Sequence, residues 1–468
     1  MPAGMMSLSE AAAALGARFS GPDADFESVA SDSRALRGRE LFVALQGERF
    51  DGHEFVAAAI ERGAAAAMVN AGSAPAQARG ALPLLLVDDT RLALGRLSAH
   101  WRRRFSIPLV AVTGSNGKTT VKEMIAAVLR AQHGEAHTLA TEGNLNNDIG
   151  LPLTLLRLRA AHRCAVVELG MNHPGETAYL AALAAPTVAL VNNAQREHQE
   201  FMKSVADVAR EHGAVFAELR EGGVAVINAD DAHADYWRSL VLGRPAAQGP
   251  VRVVDFGIER PAQVTGRYAF TGFGSEIALQ TPAGSAQVQL RVPGRHNVSN
   301  AVATAAASLA AGAELPAIAR GLGAFRAVKG RMQRKTARAG AAVIDDSYTA
   351  NPDSARAAID VLAAADASRK VLVLGDMGEV GSEGPSFHEE IGRYAKAQGV
   401  DALLAIGELC RRAAATFGEG AVHFDSIDDL IAAANAEARP GTTLLVKGSR
   451  FMRMERVVAA LTGEAACS

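Results

Sequence analysis

Apolar and polar positions alternate along this chain in two different rhythms, and the change of rhythm divides it. Over the first hundred residues the elements are short. Ser7 followed by Glu10 resembles a capping box opening an alanine-rich helix that stops near Gly16. Apolar runs at Leu41–Leu45 and Leu84–Val87 predict strands, and the segment Asp51–Arg62 between them predicts a helix. From Ile107 onward short apolar runs alternate with amphipathic stretches, the pattern of a mostly parallel α/β sheet. Ile107–Thr113, Ala165–Leu169 and Thr187–Val191 are its first strands. Residues 249–293 change to polar–apolar alternation, as in Ala286–Val292, which predicts an antiparallel elaboration on the same domain or, less readily, a small domain of its own. A helical stretch, Asn300–Leu322, then leads to a basic, glycine-containing segment at Val328–Arg334. Beyond it, strands at Ala342–Asp345, Val371–Leu374, Ala402–Ile406 and Thr443–Val446 alternate with helices, one of which starts at Asn351-Pro352 as N-cap and N1. The expectation is an α/β protein of three domains, over residues 1–105, 106–325 and 326–468, the last a nucleotide-binding-type open sheet without a GxGxxG fingerprint.

Length agrees: 468 residues exceed what one hydrophobic core serves. The chain is 49% hydrophobic and 21% charged with a formal charge of -2, which argues against nucleic-acid binding through bulk positive charge. Its three cysteines, Cys164, Cys410 and Cys467, have neither disulfide-framework nor zinc spacing and fit a reducing cytoplasm. No signal-peptide pattern and no apolar run of about 20 residues is present, so membrane insertion is not expected.

The sharpest chemical signal is IPLVAVTGSNGKTTVKEMIAAVLRAQ, read as strand, glycine loop, helix. Val121, Met124, Ile125 and Val128 share one helical face. Gly114 and Gly117 let successive N–H groups of Ser115 and Asn116 turn inward, and the helix N-terminus at Thr119-Thr120 adds positive potential. Lys118 has the reach for β- and γ-phosphates, and the Thr119 hydroxyl is placed for magnesium. The general motif has glycine where this chain has Val112, so the loop is a variant. Residues alone predict nucleotide binding and leave the reaction open.

Glu168 ends a predicted strand, at the edge where open α/β sheets bind ligands, and suits a metal. His198, in NNAQREHQEF, lies beyond another strand; by itself it reads more readily as a structural histidine than as a ligand. Asn144, Asn146 and Asn147 occupy EGNLNNDIG, a loop too polar for a core.

Taken together and in order, TGSNGKTT, EGNLNNDIG, VELGMNHPGE, GRHNVSNA, VKGRMQR, DDSYTANPDS, LGDMGEVG and VKGSR resemble the Mur ligases of peptidoglycan synthesis, most closely the branch that adds D-alanyl-D-alanine to UDP-N-acetylmuramoyl-tripeptide. The resemblance implies an N-terminal domain holding the UDP-sugar, a central ATPase domain and a C-terminal Rossmann-like domain presenting the amine. It implies ATP and magnesium, an acyl-phosphate intermediate, and a cytoplasmic monomer. By the same resemblance Lys118, Glu168 and His198 are catalytic, with Thr119, Glu168 and His198 around metal. Asn297, Arg331 and Asp346 belong with the nucleotide. Ser33 and Arg34, in Ser31-Asp32-Ser33-Arg34, belong with the uridine diphosphate, and Asn144 and Asn351 with substrate. Lys447-Gly448-Ser449-Arg450 is expected near the dipeptide or the domain-closure contacts.

Many members carry a carbamate-modified lysine on the helix after His198. Here that position is His212, on one face with Val205, Val208, Ala209, Val215, Phe216 and Leu219. Two readings stand: a buried, hydrogen-bonded histidine, or a metal-site group, with His212 or water in the place of the carbamate. Three other functions remain open at this point: a sister ligase for another amino acid, a folylpolyglutamate synthase, and a phosphate-loop nucleotide switch.

Overall fold

The computed structural model describes residues 4–73 and 82–464, so Cys467 lies outside the described residues. Besides a two-stranded ribbon of Met6–Ser7 with Asp25–Phe26, three larger open sheets follow one another along the chain. The first has strands in the order 18–20, 84–87, 66–70, 40–43, 28–30, parallel except for its 18–20 edge. Ser7 caps the helix Leu8–Leu15 by accepting from the Glu10 N–H, and Gly16 closes it at φ 63°. The Asp51–Arg62 segment is helical in two pieces, a 3-10 turn over Gly52–Phe55 and an α-helix over Val56–Glu61.

The second sheet has nine strands, ordered 284–290, 274–281, 264–271, 252–257, 224–228, 188–191, 109–113, 164–168, 138–140. Seven run parallel, and the last two in sequence form antiparallel hairpins on the same sheet. That is the elaboration expected from residues 249–293. The strand Leu109–Thr113 sits between Val188–Val191 and Cys164–Glu168, so the ends of all three strands deliver their following residues to one edge. The third sheet is ordered 333–336, 342–346, 442–447, 369–375, 402–406, 421–424, parallel apart from its first pair.

The first two sheets are welded by one helix, Thr90–Arg102, whose buried Leu94, Leu97 and Trp101 join a core that also contains Leu109, Leu151 and Leu180. Arg102 is fully buried; it donates from Nε to the Ala184 carbonyl (3.0 Å) and from Nη1 to the Phe105 carbonyl (2.6 Å). Burial pushes its pKa down to about 10, so it stays charged at neutral pH. Behind the sheet, the helix Lys118–His133 buries Val121, Met124, Ile125 and Val128 completely, the face its sequence predicted.

That helix is held close to Leu315–Ala324 at Gly321, where an added Cβ would lie 2.5 Å from the Val128 Cα. Backbone cannot retreat as a side chain can. Gly321→Ala is therefore expected to lower the stability of the central sheet by about 1–3 kcal/mol through overpacking. Urea unfolding followed by tryptophan fluorescence checks this, since Trp237 is buried against the other face of the same sheet; an unchanged midpoint would contradict the close packing.

Candidate active site

The carboxyl edge of the central sheet carries the phosphate loop. Gly114, at φ 130°, and Gly117, at φ 83°, adopt backbone conformations that L side chains avoid. A Cβ on Gly117 would also meet Asn300 Oδ1 at 2.6 Å and Asn192 Nδ2 at 2.7 Å. A chain of amides fixes the loop from behind. Asn192 Nδ2 donates to the Asn116 carbonyl (2.8 Å) and to Asn300 Oδ1 (2.9 Å), Asn300 Nδ2 donates to Asn297 Oδ1 (3.1 Å), and Asn297 Nδ2 donates to the Pro293 carbonyl (2.7 Å).

Ser115, Asn116, Gly117, Lys118, Thr119, Asn144, Glu168, His198, Arg331 and Asn351 line one cleft between the second and third sheets. Gly114 and Thr120 flank this lining. Asn297 is not among the lining residues; its amide takes part in the chain just described, behind the loop. Asp346 also stays back, accepting from the Met332 N–H (3.1 Å) and pairing with the buried Lys447 Nζ (2.5 Å). Its neighbours Tyr348 and Thr349 reach the cleft instead, and the Arg331 guanidinium stacks 4.4 Å from the Tyr348 ring. Ser33 and Arg34 belong to the first sheet's region, away from the cleft, where Arg34 pairs with Asp32 on the surface. Of Lys447–Arg450, Lys447 is spent on Asp346 and the Thr349 carbonyl, and Ser449 ties Ala350 to Gly378. Arg450 is exposed and pairs with Glu455.

The third sheet is docked on the loop through specific polar contacts. Asn351 caps the helix Pro352–Ala363 with a full capping box, and its side-chain amide exchanges hydrogen bonds with Asn116 at 2.9 and 3.3 Å. Arg196 forks onto Asp353 (2.7 Å) and Glu390 (2.7 Å). Glu379 Oε2 lies 2.6 Å from His198 Nδ1. That contact holds the Glu379 carboxyl below its usual range, against the opposing effect of burial. Both residues have left-handed backbone, φ 48° for His198 and 57° for Glu379, costing on the order of 1–2 kcal/mol each. The strain sits where the two regions meet.

Within the cleft, Thr119 Oγ1 donates to Glu168 Oε1 (3.2 Å), which also accepts from Asn146 Nδ2 (2.7 Å). The other oxygen, Glu168 Oε2, is buried without a hydrogen-bond partner. An orphaned carboxylate oxygen beside a threonine hydroxyl is an all-oxygen donor set, the kind a hard cation such as magnesium takes, so these residues fit that ion. Lys118 Nζ is folded back onto the carbonyls of Gly114 (2.6 Å) and Ser115 (3.2 Å) and onto Glu197 Oε2 (3.2 Å).

Glu197 is the residue that sequence reasoning passed over, one position before the histidine it singled out. It is buried on the cleft wall, with Oε1 2.6 Å from His212 Nε2. Burial pushes its carboxyl up, but Lys118 first, then His212, more than reverse this and hold it below the usual range, so it is ionised. His212 is fully enclosed, its pKa pushed down by burial despite Glu197. The neutral ring therefore presents Nε2–H to Glu197, and Nδ1 accepts from the Thr113 hydroxyl (2.9 Å). Of the two readings of His212 the buried one describes its position, since it stands behind Glu197 and does not line the cleft.

Among the described residues one further cluster has metal-like spacing, Asp376, His388 and Cys410. Its donors are already committed. Asp376 accepts from the N–H groups of Cys410 (2.8 Å) and Leu409 (3.2 Å), and His388 Nε2 accepts from the Met377 N–H (3.0 Å) while Nδ1 donates to the Gly384 carbonyl (2.7 Å). Burial pushes the Cys410 thiol well above its usual value, keeping it protonated. The cluster is structural, and it predicts a pH effect. Burial lowers the His388 pKa, so its contribution is full above the unfolded value near pH ~6.5 and is lost as pH falls below it, by up to about 1.4 kcal/mol per pH unit. Urea unfolding should show the native chain losing more stability between pH 7.5 and 5.5 than His388→Gln; equal losses would contradict the assignment.

Comparison with known proteins agrees with this geometry. Three family models match in order: "Mur ligase family, catalytic domain" over residues 25–102, "Mur ligase middle domain" over 112–308, and "Mur ligase, glutamate ligase domain" over 330–450. The chain is 42% identical over 465 residues to the UDP-N-acetylmuramoyl-tripeptide--D-alanyl-D-alanine ligase of Escherichia coli, covering 99% of both. It is 36% identical to the ligase of the same name from Haemophilus influenzae, over 94% of both chains. Among solved structures, MurF from Acinetobacter baumannii superposes with a TM-score of 0.87 at 33% identity, covering 96% of this chain and 97% of the other. The phosphate loop, the buried carboxylate beside it and the docked third sheet are thus features of a chain that belongs to the Mur ligase family.

Proposed function

We propose that this chain joins D-alanyl-D-alanine to UDP-N-acetylmuramoyl-tripeptide, converting ATP to ADP and phosphate, as a step in building peptidoglycan precursors. The observation that carries the reading is the cleft itself. A phosphate loop with Lys118, Thr119 and Glu168 faces a second α/β unit across a polar seam, in a chain 42% identical throughout to a ligase of that name. The division of labour follows: residues 1–105 for the UDP-sugar, with Ser33 and Arg34; 106–325 for ATP; 326–468 for the amine. Among the described residues no helix is long and apolar enough to cross a membrane. A cytoplasmic chain without nucleic-acid partners is consistent with the composition, and a monomer is the expected state.

A carboxylate is a poor acyl donor because its oxygen is a poor leaving group. Its oxygen attacks the γ-phosphorus, ADP departs, and the acyl phosphate forms. The dipeptide amine then attacks the carbonyl carbon, gives up a proton, and phosphate leaves as the amide forms. The turned loop at Ser115–Gly117 and the helix N-terminus present N–H groups to the phosphates. Lys118, released from Gly114 and Ser115, faces the charge that grows during transfer. Magnesium held by Thr119 and Glu168 would supply charge neutralisation on phosphate oxygens. Asn144 and Asn351 border the cleft where the peptide carboxylate meets the nucleotide. A recess of about 460 Å³ opens on the far side of Gly378 and Glu379, lined also by Asp376, Leu409 and Phe451, and we assign it to the incoming dipeptide.

Phosphate release with UDP-muramoyl-tripeptide, varying the amine among D-alanyl-D-alanine, diaminopimelate and glutamate, tests the reading. D-alanyl-D-alanine is expected to stimulate most, and Lys118→Ala to lower kcat by about 10²–10³-fold. No stimulation by D-alanyl-D-alanine, or stronger stimulation by another amine, would refute it.

A further inference from the structure

We infer that Glu197 is a metal-site carboxylate: with His198 it takes a second divalent cation that enters with the nucleotide, and Thr113 and His212 are positioning residues that aim it. The inference rests on the ATP-dependent reading above, and it assigns a role to a residue that the motifs do not single out.

Glu197 divides its two oxygens between two jobs. Oε1 is fixed 2.6 Å from His212 Nε2, whose ring is in turn fixed through Nδ1 to Thr113, the last residue of the phosphate-loop strand. Oε2 faces the cleft, 3.2 Å from Lys118 Nζ and 3.7 Å from His198 Nε2. A carboxylate oxygen and an imidazole nitrogen therefore converge on one space, opposite Thr119 and the partnerless Glu168 Oε2.

Charge balance supplies the second half of the argument. In this structure the buried negative charge of Glu197 is met by Lys118, and Lys118 also satisfies two loop carbonyls. A lysine that serves the nucleotide phosphates must leave those partners. His212 is fixed between Glu197 and Thr113, and His198 is shared with Glu379. Glu197 would then be a buried anion without a counter-charge, the most costly arrangement a protein interior holds. A divalent cation between Glu197 Oε2 and His198 removes that cost at the moment Lys118 departs. Nucleotide arrival thus exchanges one positive charge at Glu197 for another. The carboxylate comes from the chain itself, so no carbamate formed from carbon dioxide is needed beside His212.

Counting bound Mn²⁺ by electron paramagnetic resonance, with the full chain saturated with the unreactive ATP analogue AMP-PNP, tests this. The native chain is expected to bind two Mn²⁺, and Glu197→Gln one, with AMP-PNP still bound and the remaining Mn²⁺ at native affinity as evidence of an intact fold. His212→Leu should weaken the second Mn²⁺ by about 10–100-fold. His212→Gln, which keeps a donor toward Glu197, should recover most of that loss, an outcome that mere filling of the core would not produce. Native phosphate release should be unchanged when carbon dioxide is stripped from the buffer. Two Mn²⁺ at native affinity in Glu197→Gln, a single Mn²⁺ in the native chain, or activity that disappears without bicarbonate would each overturn the inference. A Glu197-dependent second Mn²⁺ in a chain that D-alanyl-D-alanine fails to stimulate would leave the inference standing and remove the proposed reaction.

Discussion

Lys118 and Glu197 form a buried ion pair at the head of the phosphate loop, and the rest of the site is arranged around keeping that pair satisfied. Two opposite charges out of water are tolerable only with good geometry and further hydrogen bonds. The loop carbonyls of Gly114 and Ser115 complete Lys118, and His212 completes Glu197. Thr113 completes His212, and because it ends the central strand, the network is anchored in the sheet rather than in a loop. The resting pair is satisfied by its neighbours and poised to exchange partners.

The same edge of the sheet explains why the third domain matters. Successive parallel strands end beside one another, so Gly114 and Asn192 emerge from neighbouring strands at one level, with Glu168, paired to Val112, just before them. None of these groups alone encloses a substrate. Enclosure comes from the docked sheet, through the Asn116–Asn351 amide exchange, the Arg196 fork and the strained His198–Glu379 contact. Polar seams of this kind release and re-form more readily than an apolar core, as a site that must admit two substrates in turn requires.

Much of this was legible in the chain. The period-two and helical patterns located most strands of the second and third sheets, and the Ser7 and Asn351 caps fall where the residues placed them. Strands such as Ala66–Asn70 and Thr138–Ala140 escaped because alanine and threonine carry little hydrophobic signal. The loop, Glu168 and His198 converge because motif spacing encodes a local backbone path. That Asn297 and Asp346 stand behind the cleft lining could not be read from the motifs, because spacing does not reveal which way a side chain faces. Glu197 was invisible for a related reason. Its partners, Lys118 and His212, lie 79 and 15 residues away, and only the fold brings a surface-like Arg-Glu-His sequence into the interior.

The most direct test is a crystal structure of the chain with magnesium and AMP-PNP. The account predicts that Lys118 Nζ leaves Gly114, Ser115 and Glu197 for the phosphates, that one metal lies at Thr119 and Glu168, and that a second lies between Glu197 and His198 while His212 keeps its bond to Glu197. Lys118 still paired with Glu197 beneath a bound nucleotide, with no metal beside that carboxylate, would contradict it.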